Sequence, residues 1–158
     1  MPASAWWLRC LVAACGIFVA ACASPPKPPP PTIIQAKVTA LPAVNPDAHG
    51  RPSPIVVKFF ELKSLAVFDS ADFFSLFDRE RETLGAELVA REEFQLAPGA
   101  VRQFERTLPA DTRYLGVVAA YRDLERSVWR AAVPVTPNQT VSLAITLEAK
   151  KVVMGSSR

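Results

Sequence analysis

Cys22 is the side chain best placed to do chemistry. It closes the stretch Val19-Ala20-Ala21-Cys22, behind an apolar run headed by a single Arg9. A charged start, an apolar segment and small residues before a cut make a secretory signal peptide. A thiol directly after the small residues can act as nucleophile toward a lipid, and Ala20 and Ala21 are small enough to enter a peptidase. Val12-Ala13-Ala14-Cys15 repeats the pattern but leaves a short apolar run behind Arg9, below the roughly 7–15 residues such a segment needs. The run from Cys10 to Ala21 satisfies that length, so the cut is expected before Cys22. Elsewhere the chemistry is thin. His49, the single histidine, lies in an irregular Pro-rich loop, whereas a Ser-His-Asp constellation needs its base held against the nucleophile. No spacing of His, Cys or carboxylates suits a metal. The 6 glycines are scattered and form no phosphate loop. Neither a catalytic residue nor a metal ligand is expected.

The Cys22 stretch resembles a bacterial lipobox. In that motif the sulfur takes a diacylglycerol, the chain is cut before the cysteine, and the new amino group is acylated. Residues 1–21 would leave as the signal. The apolar run is shorter than the roughly 20 residues of a membrane span, so the mature chain is expected to be anchored rather than spanning. A diacylglycerol plus an N-acyl chain exceeds the two signals that stable anchoring takes. Residue 23 is Ala, not the Asp that retains enterobacterial lipoproteins in the inner membrane. The expected address is the periplasmic face of the outer membrane. Cys10 and Cys15 leave with the signal and Cys22 is lipidated, so no thiol pair remains for a disulfide. No cofactor is expected beyond the covalent lipid. The formal charge of +3 is spread over interspersed acids and bases, as in Arg79-Glu80-Arg81-Glu82. No basic stripe points to nucleic acid.

Pro25 to Pro31 reads as a linker. At about 3.1 Å per residue of polyproline II, the stretch from Ala23 to Pro31 can hold a domain roughly 28 Å off the lipid. The β-branched run Ile33 to Leu41 predicts a strand. Residues 42–54 hold four prolines and a glycine, which forbid regular structure. A loop this long in a compact domain is often functional. Ile55 to Leu62 predicts a central strand. Asp69 is expected to cap a helix with Phe73, Leu76, Phe77 and Leu84 on one face and Gly85 as its stop, with Ser64 to Phe68 as a separate short turn before it. Phe59, Phe60, Phe68, Phe73, Phe74 and Phe77 make a dense apolar cluster, read as a helix packed on a sheet. Further strands are expected at 87–96, 101–108, 113–121, 128–135 and 141–147. In the fourth strand Phe104 and Leu108 are assigned inward and Arg102 and Arg106 to solvent. Trp129 is assigned to a central strand. Seven strands, frequent turns and one helical insertion argue for an antiparallel β-sandwich over 32–153, with 154–158 as a tail.

These residues carry a resemblance. Asn45-Pro46-Asp47-Ala48-His49-Gly50-Arg51-Pro52-Ser53-Pro54 leads into Ile55-Val56-Val57-Lys58-Phe59-Phe60-Glu61-Leu62-Lys63. Phe68, Ala71-Asp72-Phe73-Phe74-Ser75-Leu76, Leu84-Gly85, Arg91-Glu92-Glu93-Phe94, Pro98-Gly99, Tyr114-Leu115-Gly116-Val117-Val118-Ala119-Ala120-Tyr121-Arg122-Asp123 and Trp129-Arg130 follow in order. With the lipobox, the pattern resembles the TssJ family of type VI secretion outer-membrane lipoproteins. Leu124-Glu125-Arg126-Ser127 departs from it, since a glycine is expected in that turn. The resemblance implies a transthyretin-like sandwich with an added helical segment. It implies no catalysis, but docking of the trans-envelope complex of TssJ, TssM and TssL. The family's loop between the first two strands contacts the periplasmic C-terminal domain of TssM, and here it maps onto Asn45, Pro46, Asp47, His49, Gly50, Arg51 and Pro52. The alternative is a periplasmic lipoprotein that binds a small ligand or envelope polymer in a partly apolar pocket of its sandwich.

Overall fold

The computed structural model describes residues 27–156. Cys22, the signal segment and Pro25–Pro26 lie outside the described residues. In strand β2 (Ile55–Leu62) every residue except Val56 is buried. Successive strand side chains point to opposite faces. Ile55, Val57, Phe59 and Glu61 therefore face one way, and Val56, Lys58, Phe60 and Leu62 the other. Both faces of β2 are covered, as its nearly unbroken apolar run predicts.

The other strands are β1 (Thr32–Ala40), β3 (Leu88–Leu96), β4 (Val101–Leu108), β5 (Tyr114–Ala119), β6 (Arg130–Pro134), β7 (Thr140–Leu147) and β8 (Val152–Ser156). They form two four-stranded sheets, ordered β4-β1-β7-β8 and β3-β2-β5-β6. The sheets enclose one core, with Ile34, Val38, Ile145 and Leu147 from the first meeting Val57, Phe59, Leu115 and Val117 from the second. The expected β-sandwich is thus the fold, with one ladder of a different kind. β1 and β7 pair in parallel, Ile33 to Ala40 against Thr140 to Leu147, while the remaining ladders are antiparallel. Side-chain alternation reports which face a residue takes and is silent on the direction of its neighbour.

Four further expectations are corrected. An eighth strand, β8, pairs with β7 from Leu147↔Val152 to Leu143↔Ser156, so the sandwich runs past 153 and takes in most of the expected tail. β6 lies at a sheet edge, and Trp129 precedes it, half-buried, rather than lying in a central strand. Arg102 and Arg106 have the same parity as Phe104 and Leu108, so they share the inner face. There Arg106 Nη1 donates to Glu61 Oε1 at 2.9 Å, and both arginines pair with Glu92. Glu61 is 1% exposed, so this chain of charges closes the β3–β4 side of the sandwich. In place of a short turn at 64–68 and one helix from Asp69 stand three short helices, α1 (Ala66–Ser70), α2 (Phe73–Asp78) and α3 (Glu80–Leu84).

The break between α1 and α2 has a local cause. Asp72, not Asp69, is the cap: it adopts extended backbone, and its carboxylate accepts the N–H of Ser75 at 3.0 Å. α3 ends at Gly85, the stop expected there, whose φ of 49° glycine adopts without strain, and a 3-10 turn, Gly85–Glu87, follows. The helices lie on the outer face of the β2 sheet, where Phe60, Leu62 and Val118 pack against Phe68, Leu76 and Leu84. Gly116 of β5 makes room for them. A Cβ there would lie 2.8 Å from the Phe68 ring. The phenylalanines divide accordingly: Phe59 joins the sandwich core, Phe60 and Phe68 the helix interface, and Phe74 is 61% exposed.

Candidate functional site

Residues 41–54 leave β1 and cross one pole of the sandwich, and their shape follows from two side chains. Asp47 forms a compact turn around its own carboxylate. Its Oδ1 accepts the backbone N–H of His49 at 2.8 Å and of Arg51 at 3.0 Å, and its Oδ2 accepts Arg51 Nε at 2.8 Å. The Arg51 backbone N–H, foremost, together with the Arg51 side chain and the Arg122 charge, holds this carboxyl below its ordinary range. Gly50 completes the turn at a φ of 77°, a conformation glycine adopts without strain. Asn45 does the second job. Its amide donates to the Pro54 carbonyl at 2.8 Å, its Oδ1 accepts the backbone N–H of Arg122 at 2.7 Å, and its own N–H reaches the Ala149 carbonyl at 3.1 Å. Three loops are thereby locked to one another: the β1–β2 loop, the β5–β6 loop and the β7–β8 turn.

The expected contact residues divide on this geometry. Ala48, His49, Gly50, Arg51 and Pro52 are exposed. Pro46 and Asp47 are half-buried, and Asn45 is 3% exposed. Asn45 therefore shapes the loop from within and presents nothing to a partner. His49 offers its ring to solvent while its backbone N–H serves Asp47. Among the described residues, no group of three or more His, Cys, Asp or Glu lies close enough to hold a metal ion.

The locked loops enclose a cleft of about 560 Å³ between Pro46, Asp47, Ala48, Arg122, Asp123, Arg126 and Lys150. Its lining is mostly charged, unlike the partly apolar pocket that the small-ligand reading requires. Four of its residues come from the β5–β6 loop and the β7–β8 turn, and none of them was expected at the site. Arg122 and Asp123 entered only as part of the family resemblance, and Arg126 through the departure at 124–127. That segment closes as a 3-10 turn, Leu124–Arg126, with the Ser127 hydroxyl donating to the Leu124 carbonyl at 3.1 Å, so no glycine is needed.

A two-sheet sandwich that gathers three interlocked, polar loops at one pole is the build of an interaction module. The chain belongs to the family described as type VI secretion lipoprotein, VasD, EvfM, TssJ, VC_A0113, whose pattern it matches over residues 32–150. A search of curated protein sequences gave no match. Among solved structures it is similar to the type VI secretion lipoprotein TssJ1 from Pseudomonas aeruginosa, with 43% identity and a TM-score of 0.80 over 82% of this chain and 98% of that one. Serratia marcescens Lip, described as a membrane-bound component of the type VI secretion system, matches at 27% identity and a TM-score of 0.72, over 78% and 96%. A chain in a structure described as the TssM C-terminal domain (869–1107) from EAEC matches at 26% identity and 0.64, over 77% and 99%.

Proposed function

We propose that the protein is a periplasmic lipoprotein held to the outer membrane by diacylglycerol and N-acyl chains on Cys22. It docks the type VI trans-envelope complex, without catalysis, by binding the periplasmic C-terminal domain of TssM, within an assembly of TssJ, TssM and TssL. The observation that carries this reading is the loop 42–54, held rigid by Asp47 and Asn45 while His49, Gly50, Arg51 and Pro52 stay exposed. A preformed loop loses little entropy on binding, and arginine is a frequent hot spot. The match to a chain in a TssM structure supports it further. That match is about half as long as the 869–1107 segment, which is the size of a TssJ chain and not of the segment itself.

Calorimetric titration of the full chain in detergent against the TssM domain tests the docking. The triple variant His49→Ala, Arg51→Ala, Pro52→Ala spares Asn45, so the loop stays shaped while its exposed groups go. It should keep the wild-type circular dichroism and lose binding. Unchanged affinity in the folded variant would move the interface elsewhere, most directly to the helix face around Phe73 and Phe77. In cells producing the full chain, Cys22→Ser should abolish acyl labelling and outer-membrane fractionation, because a hydroxyl is a far weaker nucleophile than a thiolate. Normal sorting of that variant would sink the anchor assignment.

A further inference from the structure

The cleft between the three loops carries more hydrogen-bond donors than its own acids can use. Arg122, Arg126 and Lys150 line it against Asp47 and Asp123, and Arg51 stands beside it on Asp47. Both acids are already engaged. Asp47 accepts two backbone N–H groups and the Arg51 guanidinium. Asp123 accepts the Lys150 ammonium at 2.6 Å, the main reason its carboxyl is held below the ordinary range. The arginines are the remainder. Arg122 is exposed, and its guanidinium has no carboxylate partner among the described residues, while its backbone N–H is fixed by Asn45. Arg126 lies 3.9 Å from Asp123, with its side chain 81% exposed.

We propose that this cleft receives an acidic segment of the docking partner, with Arg122 and Arg126 binding its carboxylates. The inference rests on the docking reading above and names the chemistry of the segment. Arginine presents a planar fork of donors that matches a carboxylate bidentately. The cleft falls within the roughly 300–1,000 Å³ usual for a built site, and its walls are set in advance by the Asn45 hydrogen bonds. A protein segment is favoured over a lipid headgroup by placement. The cleft sits at the Ala40 end of β1, whereas the chain enters from the linker at Thr32. A strand of this length spans about 30 Å, so the cleft faces away from a tether on that linker.

The test titrates the full chain in detergent against the TssM periplasmic C-terminal domain, at low and at high salt. Wild-type affinity should fall with salt. The variant Arg122→Glu, Arg126→Glu should bind about tenfold or more weakly, with a slower association rate and a flatter salt dependence. Arg122→Lys, which keeps the charge and loses the fork, should be intermediate. Lys37→Glu, mid-way along β1 on the outer face of its sheet, makes a charge change away from the cleft and should leave binding as in wild type. If wild type binds and the double variant, folded by circular dichroism, binds equally well with the same salt dependence, the cleft assignment is overturned and docking stands. An equal loss in Lys37→Glu would reduce the effect to overall charge and would also overturn it. If wild type does not bind, the docking reading itself fails.

Discussion

Asn45 stands at a φ of 51°, in the left-handed region that asparagine tolerates better than most side chains. Its amide bonds into the β1–β2 and β5–β6 loops, and its own N–H into the β7–β8 turn. Asn45→Ala would leave the Arg122 N–H and the Pro54 carbonyl without these partners and would put in left-handed backbone a residue that tolerates it less well than asparagine does. Two such losses at a buried site cost about 2–4 kcal/mol. A melting curve of the variant should show that drop, together with weaker TssM binding from loosened loops. A variant that melts like wild type would mean that water replaces the amide. Asn45-Pro46 reads as a turn from sequence, since both residues favour one. Its bond to Arg122 could not be read there, because only the folded topology brings the two loops together. The same limit hid the Glu61–Arg106 pair. The face of Arg106 did follow from its parity with Phe104 and Leu108, and the rule that charges seek water is what misled.

The helical segment is joined to the sheet by charges as well as by its apolar contacts. Lys58 of β2, 5% exposed, donates to the Phe77 carbonyl and, at 3.2 Å, to Glu80 Oε2, and stands 4.6 Å from the centre of the Phe77 ring. Arg91 of β3 holds the other oxygen of Glu80 at 2.5 Å. From the opposite side Arg130 donates to the Phe68 and Ala71 carbonyls at 2.9 and 2.8 Å, at the end of α1. Burial alone would raise the Glu80 pKa. Its hydrogen bonds to its own backbone N–H and to Lys58, with the Lys58 and Arg91 charges, outweigh that, and the net shift is downward. A folded-state pKa below the unfolded value stabilises above that unfolded value, about 4.3 for Glu. The contribution is lost as pH falls through the lower, folded value. Below about pH 4 the helical segment should therefore loosen first, seen as falling amide protection in 66–87 while the strands stay protected. Glu80→Gln should show the looser segment already at neutral pH. Equal protection of helices and strands in acid would refute the coupling. The 3.6-residue spacing of Phe73, Leu76, Phe77 and Leu84 was legible in the sequence. The division into three helices was not, because Asp69 and Asp72 are equally good caps and only packing chose between them.

At the scale of the whole molecule, the sandwich was legible because most strands carry their own alternation or apolar run, as β7 and β2 do, whereas the short β8 does not. The family was legible through an ordered series of short motifs. The parallel β1–β7 ladder and the edge position of β6 were not, since strand order depends on contacts between residues far apart in sequence. Of the site, the loop 42–54 was visible by its length and prolines, and the part played by the four residues facing it across the cleft was not. β1 has a consequence of its own. It joins the linker at Thr32 directly to the loop that begins at Leu41, so tether and docking loop are consecutive in the chain. If a docked complex pulls on that loop, the load runs along the covalent backbone of one strand that is already extended, flanked on both sides by ladders loaded in shear. The core lies outside the load path. Single-molecule pulling between residue 32 and residue 49 should therefore lengthen the protein only by the slack of the loop, whereas pulling between residues 32 and 156 should unravel the whole sandwich. A large extension in the first geometry would show that the strand yields. In mechanical terms the fold behaves as a splint around a cable, and the compliance of the connection resides in the proline linker.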